Sequence, residues 1–440
     1  MKMKKAVITI LGTIEGNKSE YIGGDVLGLV KEMYVNTLSI LIDTYPDADI
    51  IPIYTGYARK IQERVLKELE DKEEYLYIFD NGYQIKNEND FDEIFSIFEE
   101  IFKKDYDEFI IDVTHGFRHL PLLLLIEILI KNFQDNSKIS KILFAKELTK
   151  ATKDKGGKYE FIDLKEYLDL ANIAFVLETF EKNYTLPLHI NLGKEFEKLT
   201  LALRKFSEDI MALNIDSLFK VAVPGLIREL EKIDKPSIRN QVESIMAHLR
   251  EDFKYEGKRR WETYYDVAYE LKEKGYLLNS LALLYESVRL FLKAFLEYKY
   301  PEIMEKVEEF YKGDDYKIGD FCMNKVFNVS SKDIPIEKAF KRNCIVKLKN
   351  KEIEILTKDE YQKLIKAIEK DFKHKEECIY DKKSKKADLF NCISFARNNF
   401  AHANKENDFR EVKKSIDKLF SCFEDKTEKY KKVLRGSGER

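Results

Sequence analysis

Two short segments carry side chains able to do chemistry. Near the carboxy terminus, Arg397-Asn398-Asn399-Phe400-Ala401-His402 sets a guanidinium five positions before an imidazole. An imidazole with a pKa of about 6.5 can take a proton from a ribose 2′-hydroxyl or return one to a leaving oxygen, while a guanidinium steadies a charged phosphorane. That division of labour cuts RNA without a metal, and it cannot cut DNA, which lacks the hydroxyl. The second segment, Asp112-Val113-Thr114-His115-Gly116-Phe117-Arg118-His119, crowds two imidazoles, an arginine, a hydroxyl and a glycine into one turn. Those groups suit a phosphate or a nucleobase. His115 and His119 have the i, i+4 spacing of a metal chelate, but no H-E-x-x-H pattern accompanies them, so no metal is assigned. His374 and Cys378 repeat the spacing without a set that fixes tetrahedral geometry, and the cysteines read as free structural thiols.

The first segment must be positioned by a helix. Over 387–403, Leu389, Ile393, Ala396 and Phe400 recur at helical intervals and define a buried stripe. Asn398 and His402 then fall on the solvent side, and Arg397 borders the stripe about 140° from His402, so helix geometry alone does not make the pair converge. Arginine's reach, a local irregularity or a second subunit must close the gap. A two-fold axis beside this helix would bring two Arg-His sets into one cleft, which makes a homodimer the expected assembly. Upstream, Lys382-Lys383-Ser384-Lys385-Lys386 offers a local cationic strip for a phosphate backbone.

The second segment belongs to a different architecture. Short β-rich runs alternate with helical patterns through the first third of the chain. Strands are predicted over 6–11, 49–54, 75–79, 109–113, 141–146 and 159–162. Helical spacing from Val26 to Leu41 is stopped by Pro46, and further helices are predicted over 57–69, 91–102 and 120–133. This alternation predicts a Rossmann-like, mainly parallel sheet over residues 1–165. In such a sheet ligands gather beyond the carboxyl ends of the strands. Those ends are Leu11-Gly12-Thr13, Tyr54-Thr55-Gly56 and the 112–119 segment, and each offers a hydroxyl and a glycine. The fingerprints G-x-G-x-x-G and G-x-x-x-x-G-K-[ST] are both missing, which counts against a dinucleotide or ordinary ATP site. From 166 to 440 the pattern is mainly helical, with 301–386 more irregular.

Composition sets the outer limits. The 440 residues hold 76 Lys plus Arg against 79 Asp plus Glu, a net charge of −3, so any nucleic-acid contact must be local. Hydrophobic residues make up 44% and charged residues 35%, a folded, helix-leaning balance that excludes collagen-like and disordered chains. Five cysteines, with no C-x-x-C pair, argue against a disulfide framework. No apolar stretch is long enough for a membrane span or a secretion signal, so a cytoplasmic location without membrane association is expected.

Taken together, the two motifs and their order resemble the ancillary ribonucleases of type III CRISPR systems. The Asp112–His119 segment looks like that of the CRISPR-associated Rossmann-fold (CARF) sensor domain. Arg397-Asn398-Asn399-Phe400-Ala401-His402 resembles the pattern of the HEPN ribonuclease domain, an Arg followed after four to six residues by a His. The resemblance implies a sensor for cyclic oligoadenylate, with cyclic tetra-adenylate weakly favoured, controlling a HEPN dimer that cleaves single-stranded RNA with no cofactor. Arg397 and His402 would be catalytic with Asn398 in support. Thr13, Thr55, Gly56, Thr114, His115, Gly116, Arg118 and His119 would line the activator pocket. Some relatives also cleave the activator there. The competing reading is a ligand-sensing transcription regulator with a non-catalytic helical output domain; it lacks a persuasive helix-turn-helix.

Overall fold

The computed structural model describes residues 3–28, 32–116, 119–134, 138–152, 155–186, 192, 194–330, 334–348, 351–372, 375–377, 386–401 and 408–436. The chain divides into two compact units, 1–178 with 186–200, and 179–185 with 201–440. The first is α/β and the second is mainly α-helical.

The α/β unit is built on eight strands: β1 (Lys5–Ile10), β2 (Ser19–Ile22), β3 (Glu32–Tyr34), β4 (Asp49–Thr55), β5 (Tyr83–Ile85), β6 (Glu108–Asp112), β7 (Ile139–Thr149) and β8 (Lys158–Asp163). Their order in the sheet is β3-β2-β8-β7-β6-β1-β4-β5. The run from β7 to β5 is parallel, as is the β2–β8 pair, whereas β7–β8 and β2–β3 are antiparallel. The sheet is thus mixed rather than purely parallel, because β7 and β8, successive along the chain, pair antiparallel instead of being joined by a crossover helix. Both faces are covered. Ile8 and Ile10 of β1 pack with Ile94, Phe98 and Ile101 of the Phe91–Phe102 helix and Leu124 and Ile128 of the His119–Gln134 helix. Val7 packs on the opposite face with Leu38 and Leu41 of the Thr37–Thr44 helix.

Two predicted elements differ. Residues 75–79 lie in a 3-10 helix, Glu73–Asp80, and the strand position beside β4 is taken by β5. A short apolar run does not separate strand from turn by periodicity, and the Tyr54 hydroxyl fastens this one by donating to the Phe79 carbonyl at 2.8 Å. The helical spacing predicted from Val26 to Leu41 is broken. A single turn, Gly24–Leu27, ends at Gly28 with φ of 73°, β3 follows, and Asn36 caps the Thr37–Thr44 helix by accepting from the Leu38 amide at 3.0 Å.

In the helical unit, the Leu277–Lys299 helix is the spine. Its buried Ser280 and Ser287 donate to the Ala268 and Trp261 carbonyls at 2.7 Å each, tying it to the Arg260–Glu273 helix. Phe291 and Phe295 meet Phe372 and Tyr430 edge-on or tilted, so helices Lys358–Phe372 and Phe409–Gly436 close the same core. Two small antiparallel pairs, Ile345–Leu348 with Lys351–Glu354 and Lys375–Glu377 with Lys386–Asp388, interrupt the helical texture of the irregular region. Cys322, Cys344 and Cys392 are buried and in no disulfide among the described residues. No described helix is long and apolar enough to cross a membrane.

Candidate functional site

The three strand ends singled out in the sequence are neighbours. β1 lies between β6 and β4 and is parallel to both, so their carboxyl ends open on one edge, and because β1 connects toward β2 on one side while β4 connects toward β5 on the other, that edge holds the usual crevice of an open α/β sheet. Asp112 ends β6 fully buried. One carboxylate oxygen accepts from the hydroxyls of Thr9 and Thr37, at 2.9 Å each, and the other accepts from the amide of Thr114 at 3.1 Å and its hydroxyl at 2.5 Å. The Thr114 hydroxyl also accepts from the Ala145 amide at 2.9 Å, so it braces the turn. Thr55 caps the Gly56–Arg64 helix by accepting from the Ala58 amide at 3.2 Å.

The turn after β6 is closely fitted. A Cβ on Gly116, whose φ is 109°, would stand 2.5 Å from Ile10 Cγ2, and one on Gly12 would stand 3.3 Å from His115 Cβ. The first position has room only for glycine. His115 is half-buried, yet its Nε2 is shut from solvent and has no hydrogen-bond partner among the described residues. Burial lowers its pKa against the opposing pull of Asp112, which favours the neutral ring. An orphaned ring nitrogen at a strand-end crevice is a position a ligand atom can satisfy. His119, at the start of the next helix, has Nε2 2.8 Å from the Glu88 carbonyl oxygen and stacks obliquely with Phe91. No three-donor metal set among the described residues includes either histidine. Thr13 is exposed and Gly56 half-buried. Arg118 lies outside the described residues.

Asn36 and Gln62 complete the polar layer, and sequence reading passed them over. Asn36 donates to the Gln62 side-chain oxygen at 2.8 Å, and Gln62 donates to the Gly12 carbonyl at 2.9 Å, fixing the loop that follows β1. Neither lies on a strand, since Asn36 is a helix cap and Gln62 a helical residue; the signal of a polar residue in an apolar strand pointed only to Thr9 and Asp112, which are register partners.

In the helical unit, Arg397 and Asn398 sit on the Leu389–Ala401 helix. Cys392, Ile393, Ala396 and Asn399 are its buried positions, so Asn399 holds the place predicted for Phe400, which is half-buried. Asn398, predicted to face solvent, is half-buried because its side-chain oxygen accepts from Arg397 Nη2 at 2.9 Å and Nε at 3.3 Å. The guanidinium carbon stands 4.6 Å from the centroid of the Tyr285 ring on the Leu277–Lys299 helix. Burial raises the Tyr285 pKa, and the Arg397 charge opposes that rise. No carboxylate among the described residues pairs with Arg397. His402, His374, Cys378 and 382–385 lie outside the described residues.

No protein-family model and no curated protein matches the chain. Among solved structures, Enterococcus italicus Csm6 bound to cyclic hexa-2′-fluoro-hexa-dAMP shares 12% identity over 99% of this chain and 100% of that one, with a TM-score of 0.29. A score that low carries no argument about function.

Proposed function

We propose that this chain is a metal-independent endoribonuclease acting on single-stranded RNA, working as a homodimer and switched on by a cyclic oligoadenylate held at the strand-end crevice. One observation carries the reading. Arg397 is half-buried and held by an aromatic face and an amide oxygen, with no described carboxylate to neutralise it. A guanidinium kept in this way retains its donors for an incoming anion, and a phosphodiester matches its fork. Five residues on, His402 supplies the proton carrier. In the proposed reaction the ribose 2′-oxygen attacks the adjacent phosphorus as the imidazole takes its proton. The phosphorane spreads its charge onto Arg397, and the imidazolium returns its proton to the departing 5′-oxygen, giving a 2′,3′-cyclic phosphate and a 5′-hydroxyl. Asn398 fixes the guanidinium.

The polar layer around Asp112 and the orphaned His115 ring support the sensor assignment for the α/β unit, with Thr13, Thr55, Gly56, Thr114, His115, Gly116, Arg118 and His119 at or near the pocket. Activation requires the cyclic ligand to bind the active arrangement more tightly than the resting one. The test incubates labelled single-stranded RNA with the protein and cyclic tri-, tetra- or hexa-adenylate in EDTA. Cleavage that depends on one ring size and is lost in Arg397→Ala and His402→Ala is expected. Cleavage that persists in both variants, or none with any activator, refutes the proposal.

A further inference from the structure

A second cluster lies in the helical unit, on elements that the ribonuclease motif does not use. His248 and Asp252 lie one turn apart on the Arg239–Asp252 helix, Glu270 on the Arg260–Glu273 helix, and Tyr184 just beyond the Lys165–Asn183 helix. His248 Nδ1 is 2.6 Å from an Asp252 oxygen, and Nε2 is 3.3 Å from Glu270 Oε2. The Tyr184 hydroxyl contacts that same Nε2 and donates to Oε2 at 2.7 Å. Three donor atoms from three segments therefore converge on one point. The ligand atoms of His248, Asp252 and Glu270 all lie within 4.8 Å of one another.

We propose that this cluster is a binding site for a divalent transition-metal ion of the zinc class. With metal–nitrogen and metal–oxygen bonds of about 2.0–2.1 Å, neighbouring ligands of a tetrahedral ion stand about 3.3 Å apart, which is the His248–Glu270 separation; the Tyr184 oxygen, 2.7 Å from Glu270 Oε2, has to draw back as the ion replaces its hydrogen bonds. Nε2 of His248 and the Glu270 carboxylate are the ligands, and the Tyr184 oxygen is the third donor. Asp252 is a positioning residue that holds Nδ1–H and so turns Nε2 toward the ion. Beside the cluster, Glu270 and Asp252 line a cavity of about 290 Å³ together with Glu251, Asp266 and Glu424, where Lys258 pairs with Asp266 and Lys431 reaches Glu424. Five carboxylates against three ammonium groups, Lys258 on Asp266, Lys431 on Glu424 and Lys274 at 4.8 Å from the Tyr184 ring centroid, still leave an excess of negative charge that a divalent ion relieves. On binding, the imidazolium loses the Nε2 proton to solvent and the ion takes its place, so uptake releases a proton and weakens as pH falls. The imidazole donor favours zinc and the later transition metals over magnesium or calcium.

The site is independent of the ribonuclease reading, and its test measures no cleavage. Full-length protein stripped with chelator and dialysed is titrated with Zn²⁺ by calorimetry and with Co²⁺ by visible absorption. One Zn²⁺ per chain is expected to disappear from the stoichiometry in both His248→Ala and Glu270→Gln, with Asp252→Asn weakening that event about tenfold and Co²⁺ bands of N/O ligation vanishing in the same variants. Tyr184→Phe, the mildest change, covers the case in which the others do not fold, and is expected to shift the Co²⁺ spectrum. Stoichiometry and affinity equal to wild type in the folded variants, or a Co²⁺ spectrum unmoved by Tyr184→Phe, overturns the proposal.

Discussion

Replacing Asp112 with alanine takes the acceptor from four donors at once. The Thr114 amide cannot turn, and leaving it unpaired in a buried site costs about 1–3 kcal/mol. The hydroxyls of Thr9, Thr37 and Thr114 can rotate toward one another, so each forfeits only about 0.5–1 kcal/mol. The sum is about 3–6 kcal/mol, a large share of an ordinary domain's stability. Asp112→Asn keeps an oxygen for Thr114 and offers an amide to Thr9 and Thr37, whose hydroxyls can swivel to accept, so about 1 kcal/mol is expected. The readout is hydrogen exchange across a urea series, following peptides from β1 and β6. The single tryptophan, Trp261, is buried in the helical unit and gives an internal control by fluorescence. The expected result is early loss of protection in β1 and β6 for alanine, a small shift for asparagine and an unmoved tryptophan transition. Alanine and asparagine variants that both cost less than about 1 kcal/mol would refute the reasoning that the four bonds hold the strand ends.

Three further outcomes follow from the geometry. Tyr285→Phe keeps the aromatic face under Arg397 and is expected to leave RNA cleavage within about twofold, whereas Tyr285→Ala, losing about 1–2 kcal/mol of cation–π support, is expected to slow it roughly tenfold in single-turnover assays. Gly116→Ala places a methyl against Ile10 at a φ that L-residues avoid; about 1–3 kcal/mol of strain with comparable overpacking is expected to lower the Tm of the α/β unit by roughly 5–15 °C, measured by calorimetry. Folding raises the His248 pKa, chiefly through its hydrogen bond to Glu270 and against burial, with Asp252 adding to the rise and Lys274 opposing it. Its contribution to stability is therefore complete below about pH 6.5 and is lost as pH rises through the folded value. Urea midpoints in EDTA are expected to fall between pH 6 and 9, and to fall less in His248→Gln, which cannot carry the charge.

How much was legible differs between the two units. The Phe91–Phe102 helix was legible from its helical pattern, to which the structure adds an Asp90 cap, and β1, β4 and β6 stood out as apolar runs ending in glycine or threonine. The order of the strands was not readable, because it is decided by long-range pairing such as β2 with β8. Residues 75–79 misled because five apolar and aromatic residues satisfy a strand and a 3-10 turn equally well. At the candidate sites the motif residues were visible, but their commitments were not. Thr55 and Thr114 spend their hydroxyls on a cap and a brace, and Tyr285 comes to Arg397 from a helix more than a hundred residues away. The His248 cluster offered only an i, i+4 His–Asp pair, since Glu270 and Tyr184 arrive through tertiary packing.

The antiparallel wing of the sheet constrains how the chain can be made. The amide of Gly157 donates to the Ser19 hydroxyl across 138 positions, and a Cβ on Gly156 would come within 2.0 Å of the Lys18 carbonyl oxygen. During synthesis β2 and β3 must therefore wait, unpaired on that side, until β8 has left the ribosome. Delay of that kind is what makes non-local sheets slow to fold and open to misassembly. A pause in translation once residue 163 has emerged from the ribosome would shelter the nascent unit, whereas one before that emergence would leave the β2 edge bare.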